Sequence, residues 1–161
     1  MSILETRTQH WSHEADCAAS AAALAGHAAL RTAYLELRGP LGAGKTTFVR
    51  HLLHALGVHG RIKSPTYALM EPYELEAASP GGSPRRIWHF DFYRFNDPQE
   101  WEDAGFRDVF ASEGLKIAEW PEQAHGLLPD ADLRLDLHPG AGDERMVRWS
   151  AHTPLGVALL R

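Results

Sequence analysis

The sequence predicts an α/β fold, with a central sheet that is parallel at its core, some antiparallel strand pairs, and helices on the flanks. Three observations carry this: helix and strand patterns alternate early in the chain, a strand runs through a Gly-rich loop into a helix at 34–56, and two strand patterns around a glycine turn lie near the end. No repeat with a period of roughly 20–50 residues is present. Nor does composition break along the 161 residues. Residues 1–161 are therefore expected to form a single domain, long enough to bury a core unaided.

The elements follow in order. Ser12 is placed to cap a helix beginning near His13, Glu14 and Asp16 suit its positive end, and alanines carry it to about Leu30. Tyr34-Leu35-Glu36-Leu37-Arg38 alternates apolar and polar side chains as a strand does, and the three glycines and one proline of 39–44 interrupt it. From Lys45 the apolar residues Phe48, Leu52, Leu53 and Leu56 recur at helical spacing until Gly57 supplies a stop.

Residues 67–73 and 87–92 read as two strands of a hairpin, its long tip at 77–84 rich in Ala, Ser, Pro and Gly. Asp97-Pro98 starts the next helix, because Asp accepts from free amides and Pro fits the first turn, and short helices fill much of 98–112. Residues 115–119 form a compact strand ended by Trp120-Pro121. Residues 133–137 and 146–150 make two more strands around a turn at 140–143, and Thr153-Pro154 opens a last short helix.

Composition narrows the function. A hydrophobic fraction of 44% with 23% charged residues is that of a globular chain. The sole cysteine, Cys17, has no internal disulfide partner, which suits a reducing compartment. Residues 1–7 lack the basic patch and apolar stretch of a secretion signal, and the Ala-rich segment 17–30 falls short of the ~20 apolar residues of a membrane span. A cytoplasmic protein without membrane attachment is the expectation. With a net charge of −5 and no basic run beyond Arg85-Arg86, direct binding to a nucleic-acid backbone has little electrostatic support. The ten histidines show no metal-binding spacing, and His51, His54 and His59 read as solvated residues.

Residues 39–46, Gly-Pro-Leu-Gly-Ala-Gly-Lys-Thr, match the phosphate-binding pattern Gly-x-x-x-x-Gly-Lys-Thr in the context it requires, after a strand and opening a helix. Glycines let successive N–H groups turn toward phosphate oxygens, and the helix start adds its positive end. The fold expected is accordingly P-loop NTPase-like, with ATP and Mg²⁺ as cofactors. Lys45 is expected to reach the β- and γ-phosphates, the Thr46 hydroxyl to bind Mg²⁺, and Thr47 to add a phosphate contact. The blander alternative is a Gly-rich turn carrying an exposed lysine.

Magnesium also calls for a carboxylate at a neighbouring strand end, and Asp91 and Glu119 both qualify; spacing does not rank them, and the plainer alternative for each is a helix cap or surface ion-pair partner. Ser64-Pro65-Thr66-Tyr67 lies where a loop can sense the γ-phosphate, although Pro65 alone would also explain a plain loop-to-strand transition.

Together these segments resemble the TsaE family, a bacterial ATPase of tRNA threonylcarbamoyladenosine formation. The match is collinear: Leu-Gly-Ala-Gly-Lys-Thr-Thr at 41–47, Lys-Ser-Pro-Thr-Tyr at 63–67, Glu-Pro-Tyr at 71–73 and His-Phe-Asp-Phe-Tyr-Arg at 89–94. It continues through Asp97-Pro98, Gly105-Phe106-Arg107-Asp108 and Glu119-Trp120-Pro121 to Leu128-Pro129. The resemblance implies that Gly42, Ala43, Gly44, Lys45, Thr46 and Thr47 contact ATP, that Thr46 and Glu119 ligate Mg²⁺, and that Asp91 is a functional acid near the γ-phosphate. It assigns a switch-like role to Thr66 and a place near the nucleotide to Trp120, whose plainer reading is a core aromatic. It also implies a TsaB–TsaD partner complex reset by ATP hydrolysis, with tRNA involved only indirectly.

Two departures stand out. Pro40 occupies a loop position where relatives commonly carry an acid and removes one amide donor; the segment 77–86 is long, with an effect expected only at the surface. Two other functions remain open to the same loop. A nucleoside or small-molecule kinase would need an acceptor pocket and an arginine-bearing lid, for which Arg85 and Arg86, assigned here to a loop, are the candidates. A GTP-binding switch would need an Asn-Lys-x-Asp segment, which is missing.

Overall fold

In the computed structural model, which describes residues 2–65 and 67–161, seven strands form one sheet. They are β1 (Glu5–Trp11), β2 (Tyr34–Arg38), β3 (Met70–Leu75), β4 (Arg85–Asp91), β5 (Leu115–Glu119), β6 (Leu133–Pro139) and β7 (Arg145–Ala151). Their order across the sheet is β1-β7-β6-β2-β5-β4-β3. Strands β6, β2, β5 and β4 run parallel, and antiparallel strands flank them: β7 and β1 on one side, β3 on the other. This is the mixed α/β sheet the sequence predicts, parallel at its centre with antiparallel pairs outside.

The helices are α1 (Glu14–Ala25), α2 (Lys45–Leu56), α3 (Pro98–Ala104), α4 (Phe106–Ala111) and α5 (Pro154–Leu159). Asp97 caps α3, accepting from the Gln99 amide at 2.9 Å, and Thr153 caps α5, accepting from Gly156 at 3.1 Å. Gly57 ends α2 in the left-handed conformation, donating to Leu53 and His54 carbonyls.

Side-chain alternation along the central strands divides two apolar layers. Leu35 and Leu37 of β2, with Leu115 and Ile117 of β5, face α1 and α2, where Phe48, Leu52 and Leu53 are fully buried. Each such side chain contributes roughly 1.5–3 kcal/mol by leaving water. The opposite face carries Tyr34, Trp88, Phe90 and Ala118 against the aromatics of α3 and α4. Phe90, Phe106, Phe110 and Trp101 meet there with ring centroids 4.9 to 5.6 Å apart.

Several boundaries differ from expectation. Helix α1 starts at Glu14 with His13 as its cap residue, because the Asp16 carboxylate accepts from the Ser12 and His13 amides at 2.8 and 3.2 Å. It ends at Ala25 instead of Leu30: His27 is extended, and a separate 3₁₀ turn covers Ala28–Thr32. Strand β1 has no counterpart in the predicted elements, since Thr6 to His10 are exposed and leave no hydropathy alternation to read. Arg85 and Arg86 begin β4, paired with Leu75 and Glu74, and do not belong to the loop. Among the described residues, no helix is long and apolar enough to cross a membrane.

Candidate functional site

The P-loop leaves the carboxyl end of β2, a central strand, and delivers the chain into α2. Its conformation depends on Gly39: at φ 151° the backbone passes so close to β6 that an added Cβ would stand 2.7 Å from Leu137 O. Gly44, left-handed at φ 101°, precedes the first helical residue, Lys45. The carboxyl ends of β4 and β5 lie on the same edge of the sheet, with Asp91 and Glu119 opposite each other in register. A cavity of about 480 Å³ opens there, lined by Gly42 to Thr47 together with Asp91, Glu119 and Trp120.

Within it the candidates touch. The Thr46 hydroxyl donates to Glu119 Oε1 at 2.8 Å. The contact follows from the pleat: Ile117 and Glu119 share the face of β5 that α2 covers, and β5 is the direct neighbour of β2. A register slip of one residue would turn Glu119 to the aromatic layer. Glu119 is only 2% exposed, and its second oxygen accepts from His89 Nε2 at 2.6 Å.

Lys45 is buried at 5% exposure. Its ammonium donates to Gly39 O and, at 3.1 Å, to Pro40 O, and sits 3.9 Å from the centre of the Trp120 ring. Burial lowers the Lys45 pKa from its ordinary value, while Glu119, Glu122 and Asp91 pull the other way. Pro40 lacks an N–H, yet its carbonyl accepts from both Lys45 and the Ala43 amide.

Trp120 adopts φ 55°, ψ 47°, a left-handed conformation uncommon for a bulky residue. Its half-buried ring packs against the aromatic layer and lies 4.9 Å from the Tyr93 ring centroid, so it borders both the core and the cavity. Asp91 accepts from the Ser64 hydroxyl with Oδ2 and from the Tyr93 amide with Oδ1 at 3.0 Å. That ties Ser64 to the sheet edge. Thr66, the switch candidate, lies outside the described residues.

The arrangement suits a magnesium–nucleotide pair: a hydroxyl already facing a carboxylate, an ammonium beside a glycine loop, and a helix start, all around one cavity. Six residues at the site escape the motif reading. His89 braces Glu119; strand alternation signals it, since His89 and Asp91 share a face of β4. Trp11, His13, Glu14 and Cys17, from the end of β1 and the start of α1, line the cavity beyond the loop. Arg145, 102 residues after Ala43, donates to the loop, and no local pattern announces such a contact.

Comparisons with known proteins agree with one another. Residues 11–147 match the family model of the threonylcarbamoyl adenosine biosynthesis protein TsaE. The Haemophilus influenzae tRNA threonylcarbamoyladenosine biosynthesis protein TsaE is 41% identical over 120 residues, spanning 74% of this chain and 71% of that protein. The Bacillus subtilis protein of the same name is 33% identical over 117 residues, spanning 73% and 68%. The crystal structure of Bacillus subtilis YdiB superposes with a TM-score of 0.76 at 24% identity, covering 99% of this chain and 95% of that one, a likeness that speaks for the fold.

Proposed function

This chain belongs to the TsaE family of threonylcarbamoyl adenosine biosynthesis proteins, and from that premise we propose that it is a Mg²⁺-dependent ATPase acting on a TsaB–TsaD complex. Hydrolysis resets that complex between rounds of tRNA threonylcarbamoyladenosine formation, and this chain touches tRNA only through its partners. The observation that carries the reading is the Thr46–Glu119 hydrogen bond inside the P-loop cavity. It unites the hydroxyl and the carboxylate that an NTP-bound magnesium site requires.

The roles proposed rest on the family resemblance and are supported by the geometry around the loop. Amides of Gly42 and of residues 44–47 at the α2 start hold the phosphates, the Ala43 amide instead closing the loop on Pro40 O, and Lys45 adds a cation at the same edge. Thr46 and Glu119 would hold Mg²⁺, which when bound neutralises phosphate charge and orients the triphosphate. Asp91, held through Ser64 and Tyr93, serves the γ-phosphate end together with Thr66, and Trp120 lines the site beside Lys45.

Phosphate release from MgATP, alone and with the TsaB–TsaD pair, tests this. The expected result is release stimulated by the pair, with co-purification that differs between ATP and ADP. Association indifferent to the nucleotide would remove the reset cycle. Preference for GTP, or phosphate appearing on a nucleoside instead of in solution, would replace the reading with a GTP switch or a kinase.

A further inference from the structure

A phosphate-binding loop presents amides to its ligand only if its carbonyls are held elsewhere. One side chain, remote in sequence, holds two of them. Arg145 opens β7, in register with Trp11 of β1 and Pro139 of β6. Its half-buried guanidinium donates from Nε to Ala43 O at 2.7 Å and from Nη2 to Gly42 O at 3.1 Å. The remaining nitrogen, Nη1, donates to Gly142 O at 2.9 Å and Glu144 O at 2.8 Å, in the turn between β6 and β7. One planar fork thus joins the last hairpin to the P-loop.

A trans peptide directs its C=O and N–H to opposite sides. Fixing Ala43 O therefore turns the Gly44 N–H away from Arg145. Fixing Gly42 O likewise orients the Ala43 N–H, which donates to Pro40 O at 3.1 Å. Gly42 and Gly44, at φ 78° and 101°, give this stretch far more freedom than other residues would. A lysine would offer the same charge without the rigid, divergent donors that select one loop conformation. Arg145 also lines the cavity, so its charge stands beside the place proposed for an anion.

We infer that Arg145 is a positioning residue for the phosphate-binding loop, presetting the peptides at 42–44 and making the β6–β7 hairpin part of the nucleotide site. The inference rests on the proposed function for its ligand, whereas the preset loop is a property of the free protein.

The test uses the full chain as wild type, Arg145→Met and Arg145→Lys, with two readouts: NMR exchange of the Ala43 amide without nucleotide, and calorimetric MgATP affinity. For Arg145→Met we expect Ala43 exchange about tenfold faster and affinity about tenfold weaker, the scale of one charge-assisted hydrogen bond, with β2 and β6 amides unchanged. Arg145→Lys is expected to recover less than half of either loss on a logarithmic scale. Ala43 exchange in Arg145→Met within about twofold of wild type overturns the inference. Full rescue by lysine also overturns it, as charge alone would then suffice, and so does exchange accelerated equally through β2 and β6, which would make Arg145 a general fold contact. Should wild-type protein take up no MgATP, the proposed function falls, while Ala43 exchange still decides the role of Arg145.

Discussion

His89 Nε2 donates to Glu119 Oε2 at 2.6 Å, with side chains 0% and 2% exposed. The two residues share the α2-facing side of adjacent parallel strands, offset because His89 pairs with Ile117 and Asp91 with Glu119. With Thr46 on the other oxygen, the carboxylate is held at both ends. Among the described residues His89 Nδ1 has no hydrogen-bond partner, although it is buried.

Removing that brace leaves a buried carboxylate half satisfied. His89→Leu is expected to cost about 1–3 kcal/mol of stability, read by urea denaturation. His89→Gln, which keeps a donor, should recover part of it. Equal stability of wild type and His89→Leu would show that the pair holds nothing in place.

Lys45 and Glu119 should separate binding from turnover. Lys45→Ala is expected to abolish tight MgATP uptake in calorimetry, because the buried ammonium is the loop's own cation. Glu119→Ala should retain nucleotide and lose about 10²–10³ in phosphate release, the usual scale for one lost electrostatic contact in catalysis. Wild-type hydrolysis in both variants would contradict the site.

Gly39→Ala probes the close passage of the loop over β6. The added Cβ would meet Leu137 O at 2.7 Å and Ala43 Cβ at 3.0 Å, and the φ of 151° is itself unfavourable for alanine. A loss of about 1–3 kcal/mol in denaturation is expected, since backbone must shift to make room. A fully stable variant would show that the loop can lie elsewhere.

Cys17 gives stability an alkaline dependence of known sign. Burial first, then Glu14, raises its thiol from 9.0 to about 12, against an opposing pull from Arg145. The folded chain keeps a proton that the unfolded chain loses, so this contribution is complete below pH 9.0 and disappears as pH climbs to about 12. Lys45 and Lys116, both lowered by burial, act in the opposite sense on approach to 10.5. Urea midpoints of wild type minus Cys17→Ala isolate the thiol, and their difference should shrink through that window. A difference independent of pH would mean the thiol titrates alike in both states.

Much of the site was readable because its signals are local. The P-loop is eight contiguous residues between a strand and a helix, and Glu119 is marked by an apolar strand before it and Trp-Pro after it. Spacing could not choose between Asp91 and Glu119, as both end strands. Strand order gives the two acids different partners: β5 adjoins β2 and brings Glu119 to Thr46, whereas β4 lies one strand further out and sets Asp91 beside Ser64. Strand β1 was illegible because it is a polar edge, ordered by pairing with β7 instead of by burying its own side chains.

Residue order alone marked the phosphate loop, strands β2 and β5, and the starts of α2, α3 and α5, because caps, glycine conformations and apolar periodicity act within a few neighbours; it did not mark β1 or the end of α1. Packing alone chose which distant groups meet: His89 with Glu119, Arg145 with the P-loop carbonyls, Lys45 with Trp120. Such contacts arise when whole strands pair and bury a shared face, a cooperative free energy spread over the sheet that no short stretch of chain contains.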